Sequence, residues 1–262
     1  MAKRYRAADA IVLSIGKSGR TWLRVLINKY ISLAFDLPFG LDDLSRRKAG
    51  IPCIHYSHEL WEHLSKASFT QKCLGKYLIA DDLLLTKKVI LLYRDPRDVL
   101  VSLYFHKSRR SERKIHMDLS DFIGNSQDGI HRIVEVLNIW RQRLFSHPRC
   151  HFISYEALQA DTYWQLADLI RFIGLGPLNE EKARQAVRFA AFSNMQQMEA
   201  KGEFGSQILK PSDPDDPDSY KVREGKVGGY RKHFTQDQLD CLDRAVARLD
   251  HFYGYSAGRS SE

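Results

Sequence analysis

Residues 10–34 leave this chain little choice of architecture, because they read as strand, glycine turn and helix in immediate succession. Ala10-Ile11-Val12-Leu13 is a continuous apolar run of the kind that forms a parallel strand buried on both faces. Leu23, Leu26, Ile27, Tyr30, Ile31 and Ala34 then recur at helical spacing. Between the two lies Ser14-Ile15-Gly16-Lys17-Ser18-Gly19-Arg20-Thr21-Trp22. Gly16 and Gly19 let the backbone turn tightly and approach a ligand, so that amide N–H groups and the positive helix end face an anion. Lys17 adds an ammonium, and Ser18 and Thr21 add hydroxyls. The run is a phosphate cradle, but not the standard nucleoside-triphosphate loop. G-x-x-x-x-G-K-[ST] needs a glycine five positions before Gly16, where this chain has Ile11.

A second segment repeats the pattern. Lys88-Val89-Ile90-Leu91-Leu92-Tyr93 is a buried-strand run that leads into Arg94-Asp95-Pro96-Arg97-Asp98, with Asp95 placed as a helix N-cap and Pro96 as the first helical residue. Arg94 therefore stands at a strand's carboxyl edge, where ligands of open α/β sheets bind and where a guanidinium suits bidentate phosphate recognition. Ser102 follows two helical turns later.

Together these segments resemble the sulfotransferases that use 3′-phosphoadenosine 5′-phosphosulfate (PAPS). Gly16-Lys17-Ser18-Gly19-Arg20-Thr21-Trp22 is similar to that family's P-K-S-G-T-T-W, and Arg94 to Ser102 is similar to its R-[ND]-P-[KR]-D-V-x-V-S. Arg223-Glu224-Gly225-Lys226-Val227-Gly228-Gly229-Tyr230-Arg231-Lys232-His233-Phe234-Thr235 resembles its carboxy-terminal R-K-G-x-x-G-D-W-K-N-H-F-T. Shorter echoes are Ser154-Tyr155-Glu156-Ala157-Leu158 and Phe192-Ser193-Asn194-Met195. The chain departs from the pattern at Arg20, usually threonine, at Glu224, usually lysine, and at Gly229-Tyr230, usually D-W.

The resemblance implies an α/β, single-domain, P-loop-like three-layer fold with a central parallel sheet flanked by helices. It also implies sulfuryl transfer from PAPS to an acceptor hydroxyl or amine, with adenosine 3′,5′-bisphosphate (PAP) as product and no metal. Lys17, His58 and Ser102 would form the catalytic set, Lys17 by neutralising the leaving bridging oxygen. The nucleotide contacts would come from Gly16 to Trp22, with Arg94, Ser102 and Arg223 on the 3′-phosphate, Tyr155 and Phe192 flanking the base, and Glu224 and Gly225 in the closing loop. His58, in Ile54-His55-Tyr56-Ser57-His58-Glu59, occupies the place where many members carry the base in K-T-H. His55 and Glu59 are the alternatives.

Composition is compatible with this. A chain of 262 residues, 44% apolar, can bury a sizeable core as one domain. Cys53, Cys73, Cys150 and Cys241 form no C-x-x-C pair, which argues against a zinc site and for reduced thiols in a cytoplasmic setting. The apolar run near the amino terminus is too short for a signal peptide or membrane span. A net charge of +8 suits an anionic ligand, and no nucleic-acid recognition motif accompanies it. Lys107, Arg109, Arg110, Arg113 and Lys114 read as a solvated surface cluster in preference to an acceptor-docking patch.

Further along, Ile130 to Leu144 makes an amphipathic stripe, Cys150 to Ser154 a strand, and Leu166 to Ile173 a helix ending at Gly174. From 199 to 222 periodicity stops in a proline- and aspartate-rich stretch, expected to be a mobile loop or lid. The acceptor is left as a small molecule, lipid or glycan, and the oligomeric state stays open. Two rival functions remain: a small-molecule kinase using ATP and magnesium, with Asp95 as the metal-holding carboxylate, and a nucleotide- or polyanion-binding module without turnover.

Overall fold

The computed structural model describes residues 2–111, 113–204, 209, 211–213 and 215–256. Four strands, β1 (Ala10–Leu13), β2 (Ile54–Ser57), β3 (Lys88–Tyr93) and β4 (Cys150–Ser154), form one sheet in the order β2-β1-β3-β4. Every pairing is parallel, and Ile11 of β1 sits opposite His55 on one side and Val89 on the other. The three expected strands lie where their apolar runs place them.

Alternation of side chains along these strands divides the interior into two cores. Ile11, Leu13, Val89 and Leu91 point into one, which is closed by the helices Pro96–Phe105, Ile130–Leu144 and Gln236–Val246. Val12, Ile90, Leu92 and Ile153 point into the other, closed by Arg20–Phe35, Thr162–Ile173 and Glu180–Phe189. The result is the three-layer arrangement expected from the sequence. Asp95 caps its helix as anticipated, its carboxylate accepting the Arg97 N–H at 2.9 Å with Pro96 in the first turn. Gly174 ends the helix before it at φ 87°.

From β1 the chain passes to β2 on one side and then crosses to β3 on the other. The crevice beyond the carboxyl ends of β1 and β3 is therefore the sheet's switch point, the natural ligand site of such a fold.

The stretch expected to be a lid falls partly on 205–208, 210 and 214, which lie outside the described residues. Some of its described residues are packed down, while Lys201, Glu203, Ser212, Asp213 and Asp215 are exposed. Leu209 is buried in the core of the Arg20–Phe35 helix, and Glu199 and Ser219 are fully buried. Low periodicity here reflects contacts made far along the chain, which spacing does not encode.

Candidate active site

A cavity of about 640 Å³ opens at the switch point. Its floor is the turn between β1 and the Arg20–Phe35 helix. The left-handed positions in that turn are Lys17, at φ 76°, and Gly19, at φ 94°; Gly16 has an ordinary φ. A Cβ at Gly19 would lie 2.6 Å from the Tyr155 ring, so glycine is required there by conformation and by contact. Lys17 holds a backbone state that costs a non-glycine residue roughly 1–3 kcal/mol, a strain that concentrates at functional sites. Gly16, Lys17, Gly19, Arg20, Thr21 and Trp22 all reach the wall. Ser18 does not, being buried beneath the loop. Trp22 is held by its Nε1–H, which donates to the Ala190 carbonyl at 2.9 Å, and its ring meets Tyr155 edge-on.

Arg94 leaves β3 beside this turn, its Nη1 donating to the Lys17 carbonyl at 3.5 Å and its guanidinium 4.2 Å above the Tyr155 ring. It donates to the Lys226 carbonyl at 2.9 Å and pairs with Asp98 at 3.5 Å, while its Nε–H is buried without a partner. Asp98 also accepts the Gly228 and Tyr230 amides at 2.8 and 3.0 Å, which pins the carboxy-terminal loop over Arg94. Burial pushes the Asp98 carboxyl up, and Arg94 and those amides pull it back. In the same loop Gly225 has φ 64°, and a Cβ there would lie 2.4 Å from the Phe192 ring. Gln159 fixes the turn by donating to the Gly225 carbonyl at 2.6 Å. Arg223 stacks 4.0 Å over Phe105 and donates to Glu224 at 2.7 Å. Ser102, Tyr155, Phe192, Arg223, Glu224 and Gly225 all line the same cavity. Glu224, however, is an acceptor engaged by Arg223 and by Lys232 at 3.0 Å. Its charge orients those cations and opposes a direct contact to phosphate.

His58 follows β2 directly and caps the Glu59–Lys66 helix. Its Nδ1 lies 2.6 Å from the Ser14 carbonyl. A carbonyl only accepts, so Nδ1 carries the proton and Nε2 keeps its lone pair. Burial first, then the nearby Arg20, pushes the imidazole down to about 3, so the ring is neutral at physiological pH. The alternatives point elsewhere. His55 packs edge-on against Tyr5, and Glu59 is buried in an ion pair with Arg143 at 2.6 Å. Burial, with Lys221 and Arg110 close by, lowers the Lys17 ammonium well below its ordinary value, and Glu199 partly offsets this.

Several wall residues were not legible in the sequence. His106–Arg110 forms a wide turn in which the Ser111 amide donates to the His106 carbonyl at 2.9 Å. This turn carries Lys107 and Arg110 inward, to ion pairs with Asp128 and Glu199, while Arg109, Arg113 and Lys114 stay exposed. The basic cluster is thus only in part the solvated surface expected. His106 also lines the cavity; its Nδ1 is buried without a partner, and burial and then Lys17 push it down to about 3. Lys221, on the wall from the proline-rich stretch, is lowered to about 7 by burial and Arg110. Asp95 is taken up entirely by Arg97, at 2.8–3.0 Å, and stands off the cavity wall. That removes the carboxylate on which the kinase alternative relied.

The family model for the sulfotransferase domain matches residues 7–254. Sulfotransferase 2B1 of Rattus norvegicus is 28% identical over 221 residues, covering 83% of this chain and 57% of its own length. Its Homo sapiens counterpart is 27% identical, covering 93% of this chain and 66% of its own length. The chain thus spans less than two thirds of these relatives. Cytosolic sulfotransferase 17 of Arabidopsis thaliana is 24% identical, with 97% and 78% covered. Among solved structures, retinol dehydratase in complex with androsterone and inactive cofactor PAP superposes with a TM-score of 0.61 at 18% identity, covering 97% of this chain and 82% of that one. Mouse sulfotransferase SULT7A1 complexed with PAP gives 0.61 at 18%, with 92% and 84% covered. At these identities the superpositions establish the fold.

Proposed function

This chain belongs to the sulfotransferase domain family, and on that premise we propose that it transfers a sulfuryl group from PAPS to an acceptor hydroxyl or amine. The observation that carries the proposal is the meeting, in one cavity, of Lys17 on a phosphate cradle and a neutral His58 whose Nε2 has its lone pair available. The PAP bound in the neighbouring folds named above supports the nucleotide assignment.

In this account Gly19, Thr21 and the helix amino terminus hold the 5′-phosphate. The unpartnered Arg94 Nε–H, Ser102 and Arg223 take the 3′-phosphate, and Trp22, Tyr155 and Phe192 frame the base. His58 Nε2 accepts the acceptor's proton as its oxygen or nitrogen attacks sulfur in line. The sulfur–oxygen bond to PAP breaks on the opposite side, and Lys17 neutralises the charge that gathers on the leaving oxygen. A transferring sulfuryl group carries less negative charge than a phosphoryl group, so fixed cations suffice without magnesium. The described part of 199–222 acts as a wall of the site through Leu209 and Lys221.

Thermal unfolding separates the alternatives. PAP should raise Tm clearly and ATP with magnesium should raise it little. Equal stabilisation by adenosine 5′-monophosphate and PAP would remove the 3′-phosphate assignment. Several charge-assisted hydrogen bonds at roughly 1.5–3 kcal/mol each should separate the two affinities by at least about a hundredfold.

A further inference from the structure

Several cations around this cavity have an identifiable counter-charge. Arg94 faces Asp98 at 3.5 Å, Arg110 faces Glu199 at 3.3 Å, Arg223 faces Glu224 at 2.7 Å, and Lys107 pairs with Asp128. Lys66 pairs with Glu62 at 3.0 Å. Lys17 is matched by the charge that develops on the leaving oxygen in the account above. Arg20 and Arg24 have no such partner, and Lys226 on the carboxy-terminal loop likewise makes no ion pair among the described residues. Among the described residues no carboxylate lies within ion-pair distance of either arginine, and Glu62, the carboxylate that acts most on Arg20, is engaged by Lys66.

Their placement makes the missing charge more conspicuous. The two arginines stand four residues apart in the opening turns of the Arg20–Phe35 helix, whose first turn has no acidic residue. Like charges at that spacing repel, and the positive helix end disfavours both. Arg24 stands over the Tyr56 ring at 4.2 Å, and its Nε is buried without a hydrogen-bond partner. Arg20 is on the cavity wall and is the charged group that acts most strongly on His58. Lys221, also on the wall, is repelled by both arginines. Arg20 therefore brings unmatched positive charge to the wall beside the base, where an acceptor's nucleophile must sit, while Arg24, one helical turn on, is not a wall residue; Arg20 stands where the family signature carries threonine.

Building on the sulfotransferase reading, we infer that Arg20, its positive field reinforced by Arg24 one turn further along the helix, binds an oxyanion carried by the acceptor, so that the acceptor class is a hydroxyl or amine compound already bearing a carboxylate, sulfate or phosphate near its nucleophile. Planar guanidinium forks match such groups. Binding one supplies the counter-charge that the folded protein lacks at this place.

The test is equilibrium binding to the protein saturated with PAP, which needs no turnover. Matched pairs of phenols and sugar derivatives, each pair differing only in a carboxylate against its carboxamide, are titrated calorimetrically, with sulfate and phosphate esters of the same scaffolds ranking the anions. In at least one scaffold the charged member should bind at least about tenfold more tightly, and added salt should erode the preference. Arg24→Gln should lower the ratio, and Arg24→Lys should restore part of it, with Tm showing that both variants are folded. The proposal is overturned if no pair discriminates, if Arg24→Gln leaves the ratio intact, or if Arg24→Gln weakens PAP as much as it weakens the acid. Label transfer from PAPS to the same compounds reports separately on the sulfotransferase reading: a charged-ligand preference without any transfer would sink that reading and leave the oxyanion site standing.

Discussion

His58 Nδ1 lies 2.6 Å from the carbonyl oxygen of Ser14, the first residue of the loop that also presents Lys17. The proposed base and the proposed leaving-group cation are thereby referenced to a single turn. Anything that displaces the loop after β1 moves both partners of the reaction, and the neutral tautomer of His58 depends on that same carbonyl.

Lys17→Ala and His58→Ala should impair transfer by different routes. Loss of a positioned base costs about 10² to 10⁴ in rate. An acidic acceptor needs less help, so the His58→Ala penalty should shrink along a series of phenols of falling pKa. The Lys17→Ala penalty acts on the leaving oxygen and should stay constant. Turnover rates across the series decide this, and a His58→Ala enzyme that handles a weakly acidic alcohol at near-normal rate would place the base elsewhere.

The glycines should not be equivalent. Gly16→Ala adds a Cβ at an ordinary 3.6 Å from Leu103, with no left-handed φ to maintain, and should keep PAP affinity within about threefold. Gly19→Ala meets the Tyr155 ring and Gly225→Ala the Phe192 ring, both at positive φ. Strain of roughly 1–2 kcal/mol or more at each predicts at least about a tenfold loss of PAP affinity. Calorimetry on the three variants checks the order.

Those glycines also show how far the sequence could be read. The apolar runs, the Asp95 cap and the Gly174 stop lie where spacing alone puts them, because each is set by interactions within a few residues. Gly16 and Gly19 look alike in sequence, and only the fold assigns the left-handed turns to Lys17 and Gly19. Asp98 sits four residues after Arg94, so their pairing had a local signal, whereas its grip on the Gly228 and Tyr230 amides spans more than a hundred residues and had none. The same holds for Glu199, buried against the Lys221 and Val222 amides at 2.8 Å within a stretch that reads as loop. The inward turn of Lys107 and Arg110 depends on an irregular helical turn that hydrophobic periodicity does not report.

Stability should fall on acidification earlier than carboxylate titration would bring about. His58 and His106 are both pushed down to about 3 in the folded protein, chiefly by burial, while the unfolded chain protonates near the usual 6.5. The unfolded state therefore binds protons first as pH falls. The contribution of these rings is whole above about 6.5 and is lost progressively towards about 3. Denaturant midpoints at pH 7.5 and pH 5 should differ, and His106→Gln, which does not titrate, should narrow the difference. A midpoint that stays constant from 7.5 to 5 would contradict the buried neutral imidazoles.

The most direct test of the whole account is transfer of ³⁵S from labelled PAPS to acceptor, followed with and without chelator and with Lys17→Ala alongside. The account predicts acceptor-dependent formation of labelled product and PAP, an initial rate unchanged by chelation, and a large loss in Lys17→Ala. Retention of all label in PAPS across phenol, lipid, glycan and peptide acceptors, or phosphoryl transfer from ATP that requires magnesium, would contradict it.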